Sequence, residues 1–197
     1  MPGPARTRIT AGEWRGRTVL TPRGTSLRPT TALVRQALFN ILGERVVGAS
    51  FLDLYAGAGT VGFEALSRGA ASVTFVERDR AVIDLVRTSA ERLGCADRCR
   101  LVAAEVVGWL RRASAQLPAT DICYLDAPYR DDESAVSVVL IAATPPAMVV
   151  CEHHRARHLP GDVGGLRRVR EASYGATRLT FWRREASSTS DAGDGQA

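Results

Sequence analysis

The stretch "SFLDLYAGAGTVGFEALSRGA" (50–70) decides the fold. Its apolar run at 50–56 predicts a strand, and Gly57, Gly59 and Gly62 follow in the spacing G-x-G-x-x-G. Glycines at such positions let the backbone bend tightly and approach a ligand closely. A helix is predicted directly after them, at about 60–69. The unit is typical of a nucleotide-binding strand–turn–helix, although a glycine turn alone can simply close such a joint.

Strands and helices alternate through the rest of the chain. Apolar runs with little alternation, joined by helix-length connections, predict a parallel sheet covered on both faces. The further strands are predicted at 72–77, 99–104, 121–126 and 147–152, and the helices between them at about 79–93, 105–113 and 132–143. Two last segments, 166–174 and 177–185, meet at Gly175 and predict an antiparallel edge hairpin. The fold class is therefore α/β: a Rossmann-like, mainly parallel seven-stranded sheet with helices on both faces.

The N-terminal part has a different pattern. "RITAGEWRGRTVLTP" (8–22) predicts a short β-element within residues 7–22, and "TTALVRQALFNILG" (30–43) predicts a helix. Thr30 or Thr31 can cap that helix, and Gly43 can end it. We divide the chain into a basic β-arm at 1–28, a main domain at 29–184, and a small, polar tail at 185–197 that is expected to be disordered.

Charge is unevenly distributed. All 26 basic residues are arginine, and residues 1–36 hold seven of them against one acidic residue, a net charge of +6. The other 161 residues have a net charge of −1. The N-terminal segment is therefore expected to attract a polyanion. A solvated basic tail is the alternative, but Trp14 and the apolar residues around it favour a folded arm.

Several classes of protein are excluded. No apolar run approaches the ~18 residues that span a bilayer, and the N-terminus lacks the apolar region of a secretory signal. The four cysteines show no C-x-x-C spacing, which favours reduced thiols in a cytoplasmic protein. His154 and His158 are four residues apart but lack the H-E-x-x-H order, so no metal site is predicted.

Acidic residues near the strand ends indicate the ligand. Glu77 ends the second strand of the sheet 20 residues after Gly57, where a carboxylate can accept hydrogen bonds from both ribose hydroxyls. Asp53 suits the cationic ammonium of S-adenosylmethionine better than a dinucleotide pyrophosphate, although it can also be a turn-forming residue. Glu105 is a candidate for the adenine edge, or else a helix N-terminal acid that complements the dipole.

The stretch "YLDAPYR" (124–130) follows another strand. Methylation of an exocyclic amine is helped by two acceptors that bond its N–H groups and stabilise the developing positive charge. The Asp126 carboxylate and the backbone carbonyl of Ala127 can be these acceptors, and Tyr129 offers a face for an unstacked base. An acid, a turn proline (Pro128) and a core tyrosine in an ordinary loop remain an equal alternative.

The whole set of motifs resembles a known family. "RITAGEWRGR", "LRPTTALVRQALFNIL", "LDLYAGAGTVGFEALSRGA", "FVERDR" and "YLDAPYR" are similar, in this order, to motifs of the bacterial 16S ribosomal RNA guanine-N2 methyltransferases. The resemblance runs from about Arg8 to Arg184. The arm and the "LRPTT" segment are more specific than the glycine turn, and they separate this family from DNA amino-methyltransferases.

The resemblance implies an S-adenosylmethionine-dependent enzyme that methylates one guanine of 16S rRNA. The implied cofactor-binding residues are Asp53, Tyr55, Ala56, Gly57, Gly59, Glu77, Arg78, Glu105 and Val106. The implied catalytic loop is Asp126, Ala127, Pro128 and Tyr129, which in the family usually reads Asp/Asn-Pro-Pro-Tyr/Phe. Alanine at 127 removes a rigid proline but no acceptor.

The resemblance also implies that the partner is the 16S rRNA or the 30S subunit. It further implies that the protein acts as a monomer and needs no metal. The residues expected to contact RNA are Arg6, Arg8, Trp14, Arg15, Arg17, Arg28 and Arg35. Trp14 can instead anchor the arm. Three alternatives remain open: a DNA adenine-N6 or cytosine-N4 methyltransferase, a non-catalytic RNA-binding ribosome assembly factor, and a nicotinamide-dependent oxidoreductase.

Overall fold

The computed structural model describes residues 4–23, 31–128 and 133–185. Two of the candidate functional residues, Arg28 and Tyr129, lie outside these ranges, and so does the predicted tail beyond residue 185. In the described part of the chain, no helix is both long and apolar enough to cross a bilayer.

Nine strands and five α-helices make up the described fold. The strands are β1 (Ala5–Arg8), β2 (Thr18–Thr21), β3 (Ser50–Leu54), β4 (Ser72–Glu77), β5 (Cys99–Ala103), β6 (Ile122–Leu125), β7 (Met148–His154), β8 (Leu166–Tyr174) and β9 (Thr177–Arg184). The helices are α1 (Ala32–Leu42), α2 (Thr60–Ser67), α3 (Arg80–Leu93), α4 (Val106–Ala113) and α5 (Glu133–Ala142). Each predicted strand and helix is present, with ends shifted by at most two residues.

The main sheet has seven strands in the order β5-β4-β3-β6-β7-β9-β8. Strands β3 to β7 are parallel, and β9 runs antiparallel to both β7 and β8. The strand order reverses direction at β3, where β4 lies on one side and β6 on the other. A reversal of this kind opens a crevice beyond the carboxyl ends of the strands, which is where α/β sheets bind ligands. The predicted Rossmann-like fold is confirmed.

Local signals explain where the helices begin and end. The Thr31 side chain accepts a hydrogen bond from the Val34 N–H, so Thr31 rather than Thr30 caps α1. The Asp79 carboxylate accepts hydrogen bonds from the backbone N–H groups of Ala81 and Val82, and thus caps α3. Gly94 ends α3 in the left-handed conformation, with a φ of 75°.

Two apolar layers enclose the sheet. One buried cluster joins the inner residues of α1, α2 and α3 to one face of the sheet, through side chains such as Leu38, Phe63 and Phe75. The second joins α4 and α5 to the opposite face through Leu110, Ile141 and Trp182. The β1–β2 hairpin forms a separate two-stranded sheet, and its Ile9 and Val19 belong to the first cluster. The hairpin is thus packed against the main domain on the α1–α3 face.

Candidate active site

Glu77 connects the ends of β3 and β4. One oxygen of its carboxylate accepts a hydrogen bond from the Gly57 N–H at 3.0 Å, and the other accepts one from the Asp79 N–H at 2.9 Å. A carboxylate has about four lone-pair directions, so each oxygen can accept one more donor. Two neighbouring ribose hydroxyls would supply those donors. Because the carboxylate is already oriented by the backbone, ligand binding would not have to order it.

The glycines of the turn serve two different purposes. Gly57 has a φ of 50°, and a Cβ built there meets no atom within 4 Å, so the backbone faces open space. At Gly62 a Cβ would lie only 2.3 Å from Cε1 of Phe75 on β4. Gly62 is therefore required for close packing of α2 on the sheet, whereas Gly57 leaves room for a ligand beside the turn.

Asp53 lies near the end of β3 and is buried, with 2% of its surface exposed. Its carboxylate accepts a hydrogen bond from the Gly62 N–H at 2.9 Å and so ties α2 to the strand. Burial raises the pKa of Asp53 to about 8. The hydrogen bond from the Gly62 N–H lowers this pKa, and the negative charge of Glu77 raises it further. A cationic ligand group nearby would restore the ionised form. The arrangement gives Asp53 a structural role in the turn and is compatible with a role toward an ammonium.

Tyr55 is the first residue after β3 and has a φ of 57°, the one positive value among the described non-glycine residues. A non-glycine residue in this region is strained by about 1–3 kcal/mol and is commonly found at functional sites. The hydroxyls of Tyr55 and Ser137 are 2.9 Å apart, which links the glycine turn to α5. Burial raises the pKa of Tyr55, so its hydroxyl is neutral at physiological pH. Sequence reasoning did not find the Ser137 contact, because it depends on how α5 packs.

Glu105 is the N-cap of α4. Its carboxylate accepts hydrogen bonds from the N–H groups of Val107 at 2.9 Å and Gly108 at 2.6 Å. Of the two roles left open, the helix N-terminal acid is therefore the one seen in this structure. Val106 directs its side chain into the core, with 3% exposed, so that only its backbone could serve a ligand. Arg78, next to Glu77, is exposed.

Asp126 follows β6 at the same edge of the sheet. Leu125 pairs with Leu54, so Asp126 and Tyr55 are the next residues on two adjacent parallel strands. Asp126 is half-buried, Ala127 is 1% exposed and Pro128 is exposed. The fold thus brings Asp126 beside the turn that contains Gly57, although the two are far apart in sequence.

A buried ion pair fastens the basic arm to the domain. Glu64 on α2 is fully buried and lies 3.2 Å from the Arg35 guanidinium on α1 and 3.0 Å from that of Arg68. The same carboxylate accepts hydrogen bonds from the backbone N–H groups of Thr10 and Ala11 and from the Thr10 hydroxyl. Sequence reasoning missed this cluster. Its one visible signal is a glutamate within a helix that is otherwise apolar.

Two residues predicted to contact RNA are buried instead. Arg35 is 1% exposed, because its guanidinium pairs with the buried Glu64. The same guanidinium donates a hydrogen bond to the Arg8 carbonyl at 2.9 Å. Trp14 is 4% exposed and packs in the core under the Arg98 guanidinium, which lies 5.1 Å from its ring centre. The prediction of RNA contact does not hold for either side chain. Trp14 is the anchor of the arm, the other role considered for it.

The remaining described arginines of the arm are exposed. Arg6 and Arg15 extend from the hairpin, and Arg8 donates to the Gly16 carbonyl at 3.2 Å. Arg17 donates to the Arg92 carbonyl at 2.6 Å, at the end of α3, so part of its hydrogen-bonding capacity is used within the protein. Together with the exposed Arg23, these four side chains form the described part of the basic surface.

The residues considered for metal or redox chemistry have ordinary surroundings. The four cysteines are free thiols, and the sulfur atoms of Cys95 and Cys99 are 4.0 Å apart. His153 contacts the Thr180 hydroxyl at 2.8 Å, and His154 accepts a hydrogen bond from the Ala156 N–H. Within the described ranges, no group of three or more His, Cys, Asp or Glu residues is placed to hold a metal ion.

Together the fold and the site define a class. A seven-stranded sheet with a final antiparallel hairpin, an open glycine turn after β3 and a carboxylate at the end of β4 are the features of a Rossmann-like S-adenosylmethionine-dependent methyltransferase. The Glu77 carboxylate can accept hydrogen bonds, which fits the ribose of that cofactor, and the open space at Gly57 leaves room for it. The acidic Asp53 fits the cationic methionine part.

Within this class, the chain belongs to the family described as Conserved hypothetical protein 95, whose model matches residues 7–183. It is 33% identical over 194 residues to the ribosomal RNA small subunit methyltransferase D of Escherichia coli (strain K12), a match that covers 96% of each chain. The relative of the same name from Haemophilus influenzae is 36% identical over 135 residues, which cover 67% of this chain and 69% of that one. These matches confirm the family resemblance inferred from the motifs.

A solved structure agrees with this assignment. The Thermus thermophilus protein TTHA0928 superimposes with a TM-score of 0.74 and 31% identity, over 89% of this chain and 98% of that chain. The similarity therefore extends over most of the chain.

Proposed function

We propose that the protein transfers a methyl group from S-adenosylmethionine to the N2 amino group of a guanine in 16S rRNA, in the 30S subunit or an assembly intermediate. The observation that carries the proposal is the position of Asp126 directly beside Tyr55, where β6 and β3 end together. A hydrogen-bond acceptor for an amine thereby lies next to the turn proposed to hold the methyl donor.

The chemistry would follow from a small number of groups. The cofactor supplies an electrophilic methyl group on a sulfonium. The Asp126 carboxylate and the Ala127 carbonyl would accept the two N–H bonds of the amine, which favours a pyramidal nitrogen and stabilises its developing positive charge. Tyr129, outside the described residues, would stack on the flipped base. Transfer would be direct and in line, without a metal or a covalent intermediate, and the amine would then lose a proton to solvent.

Two observations support RNA as the substrate. The Escherichia coli relative, similar over nearly its full length, is named as a methyltransferase of small-subunit rRNA. The exposed arginines of the arm, such as Arg6 and Arg15, lie on a hairpin that is held firmly against the domain through Glu64. A rigid cationic element of this kind can position phosphates relative to the active site. The enzyme would act in the cytoplasm as a monomer.

The test is methyl incorporation from labelled S-adenosylmethionine into three substrates: 30S subunits that lack the modification, free 16S rRNA and duplex DNA. We expect labelling of the ribosomal substrates and none of DNA. Mass-spectrometric mapping of 16S rRNA, from cells with and without the protein, would then identify one N2-methylguanine that depends on it.

Two results would overturn the proposal. Preferential labelling of DNA would point to an adenine-N6 or cytosine-N4 methyltransferase. RNA binding without any transfer would point to a non-catalytic assembly factor. A cofactor titration separates both cases from an oxidoreductase, because we expect S-adenosylmethionine and not NAD to bind.

A further inference from the structure

A second basic region lies at the opposite end of the chain from the arm. Residues 145–185 contain eight arginines and four acidic residues, a net charge of +4, whereas residues 37–144 have a net charge of −3. The near-neutral balance of the chain beyond residue 36 therefore hides a basic C-terminal part. In the fold, this part is β7 together with the β8–β9 hairpin at the edge of the sheet.

The hairpin separates its charges by face. Arg167 pairs with Arg183, and Arg170 pairs with Phe181, so these three arginines lie on one face of the sheet. On the other face, Glu171 contacts both Arg168 at 3.3 Å and Arg178 at 3.8 Å. The acid of the hairpin is thus paired on one face, and the face that carries Arg167, Arg170 and Arg183 has no acidic residue at its β8 or β9 positions.

These three arginines, here called the β8–β9 arginine face, are exposed and have no carboxylate partner within the described ranges of the chain. Arg167 and Arg183 are directly opposed across the two strands. Like charges in such a position destabilise a sheet. Exposed charge on an edge strand can serve to prevent edge-to-edge aggregation, but that purpose does not require two like charges to face each other.

The β8–β9 arginine face lies on the same side of the sheet as the arm. Phe181 and Leu179, which alternate with Arg183 along β9, belong to the same buried cluster as Trp14 of the arm and Leu38 of α1. The arm contacts α3, which contacts β5 at one edge of the sheet, and β8 forms the other edge. The arm therefore lies toward the β5 edge of this face of the sheet, and the β8–β9 arginine face lies at the β8 edge.

The register relates this face to the active site. Arg170 stands in one row with Phe181, Val150, Tyr124 and Asp53, across five adjacent strands. Four strand spacings separate Arg170 from Asp53, a distance of roughly 19 Å at about 4.8 Å per spacing. Arg170 is thus placed to contact the backbone of an RNA several nucleotides away from a base held at the sheet edge, and Arg167 and Arg183, in the row of Met148, Ile122 and Phe51, lie two residues farther from that edge.

We propose that Arg167, Arg170 and Arg183 form a second phosphate-binding surface for the RNA substrate, so that RNA is held at two points toward opposite edges of one face of the sheet. This inference rests on the proposed function for the identity of the RNA. Guanidinium groups are well suited to phosphate oxygens. The surface contributes affinity and orientation, and it makes no contact with the reacting atoms.

The test compares two triple variants of the full chain. R167Q/R170Q/R183Q removes the proposed surface, and R100Q/R111Q/R112Q removes three exposed arginines from β5 and α4 on the opposite face. Binding to unmethylated 16S rRNA transcript is measured over a range of salt concentrations. We expect the slope of log Kd against log salt to fall by about 2 to 3 in the first variant, since each lost phosphate contact contributes roughly 0.7–0.9, and to stay unchanged in the second.

Kinetics and a charge-conserving variant complete the test. We expect R167Q/R170Q/R183Q to raise KM for the RNA at least tenfold with kcat unchanged, and R167K/R170K/R183K to keep the wild-type salt slope. Equal slopes for wild type and the first variant, or equal losses in both glutamine variants, would overturn the inference. So would weakened binding to 30S particles with normal binding to free RNA, since the surface would then contact a ribosomal protein.

The outcomes separate this inference from the proposed function. If the wild-type protein transfers no methyl group to 30S subunits or 16S rRNA, the proposed function fails, whatever the salt slopes. If it transfers normally and the first triple variant keeps both its slope and its KM, only the second surface is refuted. If the glutamine triple variant aggregates while the lysine variant binds normally, single substitutions replace it. Arg170→Gln must then lower the slope of log Kd against log salt by about 0.7–0.9.

Discussion

The Glu77 carboxylate accepts a hydrogen bond from the Gly57 N–H at 3.0 Å, across the gap between the ends of β4 and β3. This contact orders the proposed ribose acceptor and the glycine turn as one unit before any ligand binds. The two residues are 20 positions apart in sequence, and the parallel pairing of β3 with β4 brings them together.

Glu77→Gln should weaken S-adenosylmethionine binding roughly 10- to 100-fold, which corresponds to the loss of one hydrogen bond to a charged group at about 1.5–3 kcal/mol. The amide would turn its NH2 group either toward a backbone N–H, which cannot accept a hydrogen bond, or toward a ribose hydroxyl, which would lose the acceptor for its own O–H. Isothermal titration calorimetry would measure the change. Glu91→Gln, on the exposed side of α3, is the matched control, and equal affinities for all three proteins would exclude the assigned role.

The pH dependence of stability should reveal Asp53. Its pKa is raised to about 8 in the folded protein, against about 3.9 in an unfolded chain. The unfolded chain therefore releases this proton first, and stability is lost as the pH rises from about 4 through about 8. Asp53→Asn cannot ionise at this position. Between pH 5 and pH 8 its free energy of unfolding should therefore fall by at least about 1 kcal/mol less than that of the wild type.

Urea unfolding of both proteins at pH 5 and pH 8 measures this difference. The comparison between the two pH values is the readout, because the asparagine amide can change the absolute stability at both. Parallel pH profiles would mean that Asp53 does not titrate between them. The same variant should bind S-adenosylmethionine more weakly if Asp53 faces the ammonium.

Asp126→Ala should lower kcat for methyl transfer by at least about 100-fold, the effect of removing one group that stabilises transition-state charge. Binding of the cofactor and of RNA should persist, since the buried turn and the arm are untouched. Single-turnover transfer to 30S subunits, with separate binding measurements, distinguishes the two effects. A variant with normal kcat would show that Asp126 is an ordinary loop residue.

Ala127→Pro should change activity by no more than a few-fold, because the proposed acceptor is the carbonyl and both residues have one. Proline would stiffen the loop, although the Ala127 side chain is packed, with 1% exposed. The same single-turnover assay gives the result, with the melting temperature as a check on folding. A loss as large as that of Asp126→Ala in a folded protein would refute this account of the loop.

The arginines of the N-terminal half should divide into structural and RNA-contacting residues. Arg35→Ala leaves the buried Glu64 without one of its partners and should destabilise the protein by about 3–5 kcal/mol. Arg15→Ala should leave stability unchanged and lower the salt slope of RNA binding by roughly 0.7–0.9. Urea unfolding and RNA titration of both variants would decide. A large effect of Arg15→Ala on stability would contradict the assignment.

The sequence by itself determined the order and type of the secondary structure. The mainly apolar runs at 50–56 and 72–77 predict buried strands, because strands covered on both faces are mostly apolar. Thr31 begins α1 and Gly43 ends it through local hydrogen bonds and backbone conformation. The sequence also places Asp126 and the turn at Gly57 at the same edge of the sheet, since parallel strands present their carboxyl ends at one edge, whereas their adjacency depends on the strand order, in which β6 neighbours β3.

Only the tertiary structure decided what several polar residues do. Arg35 looked like part of a basic surface, but burial of Glu64 beneath the arm requires a cation there. Glu105 caps its own helix, and the arginines 167, 170 and 183 share a face only because a bulge after Arg168 changes the register of β8. Charge and residue type are local properties of the chain. Burial and the choice of partner depend on packing between distant segments, which sequence patterns do not encode.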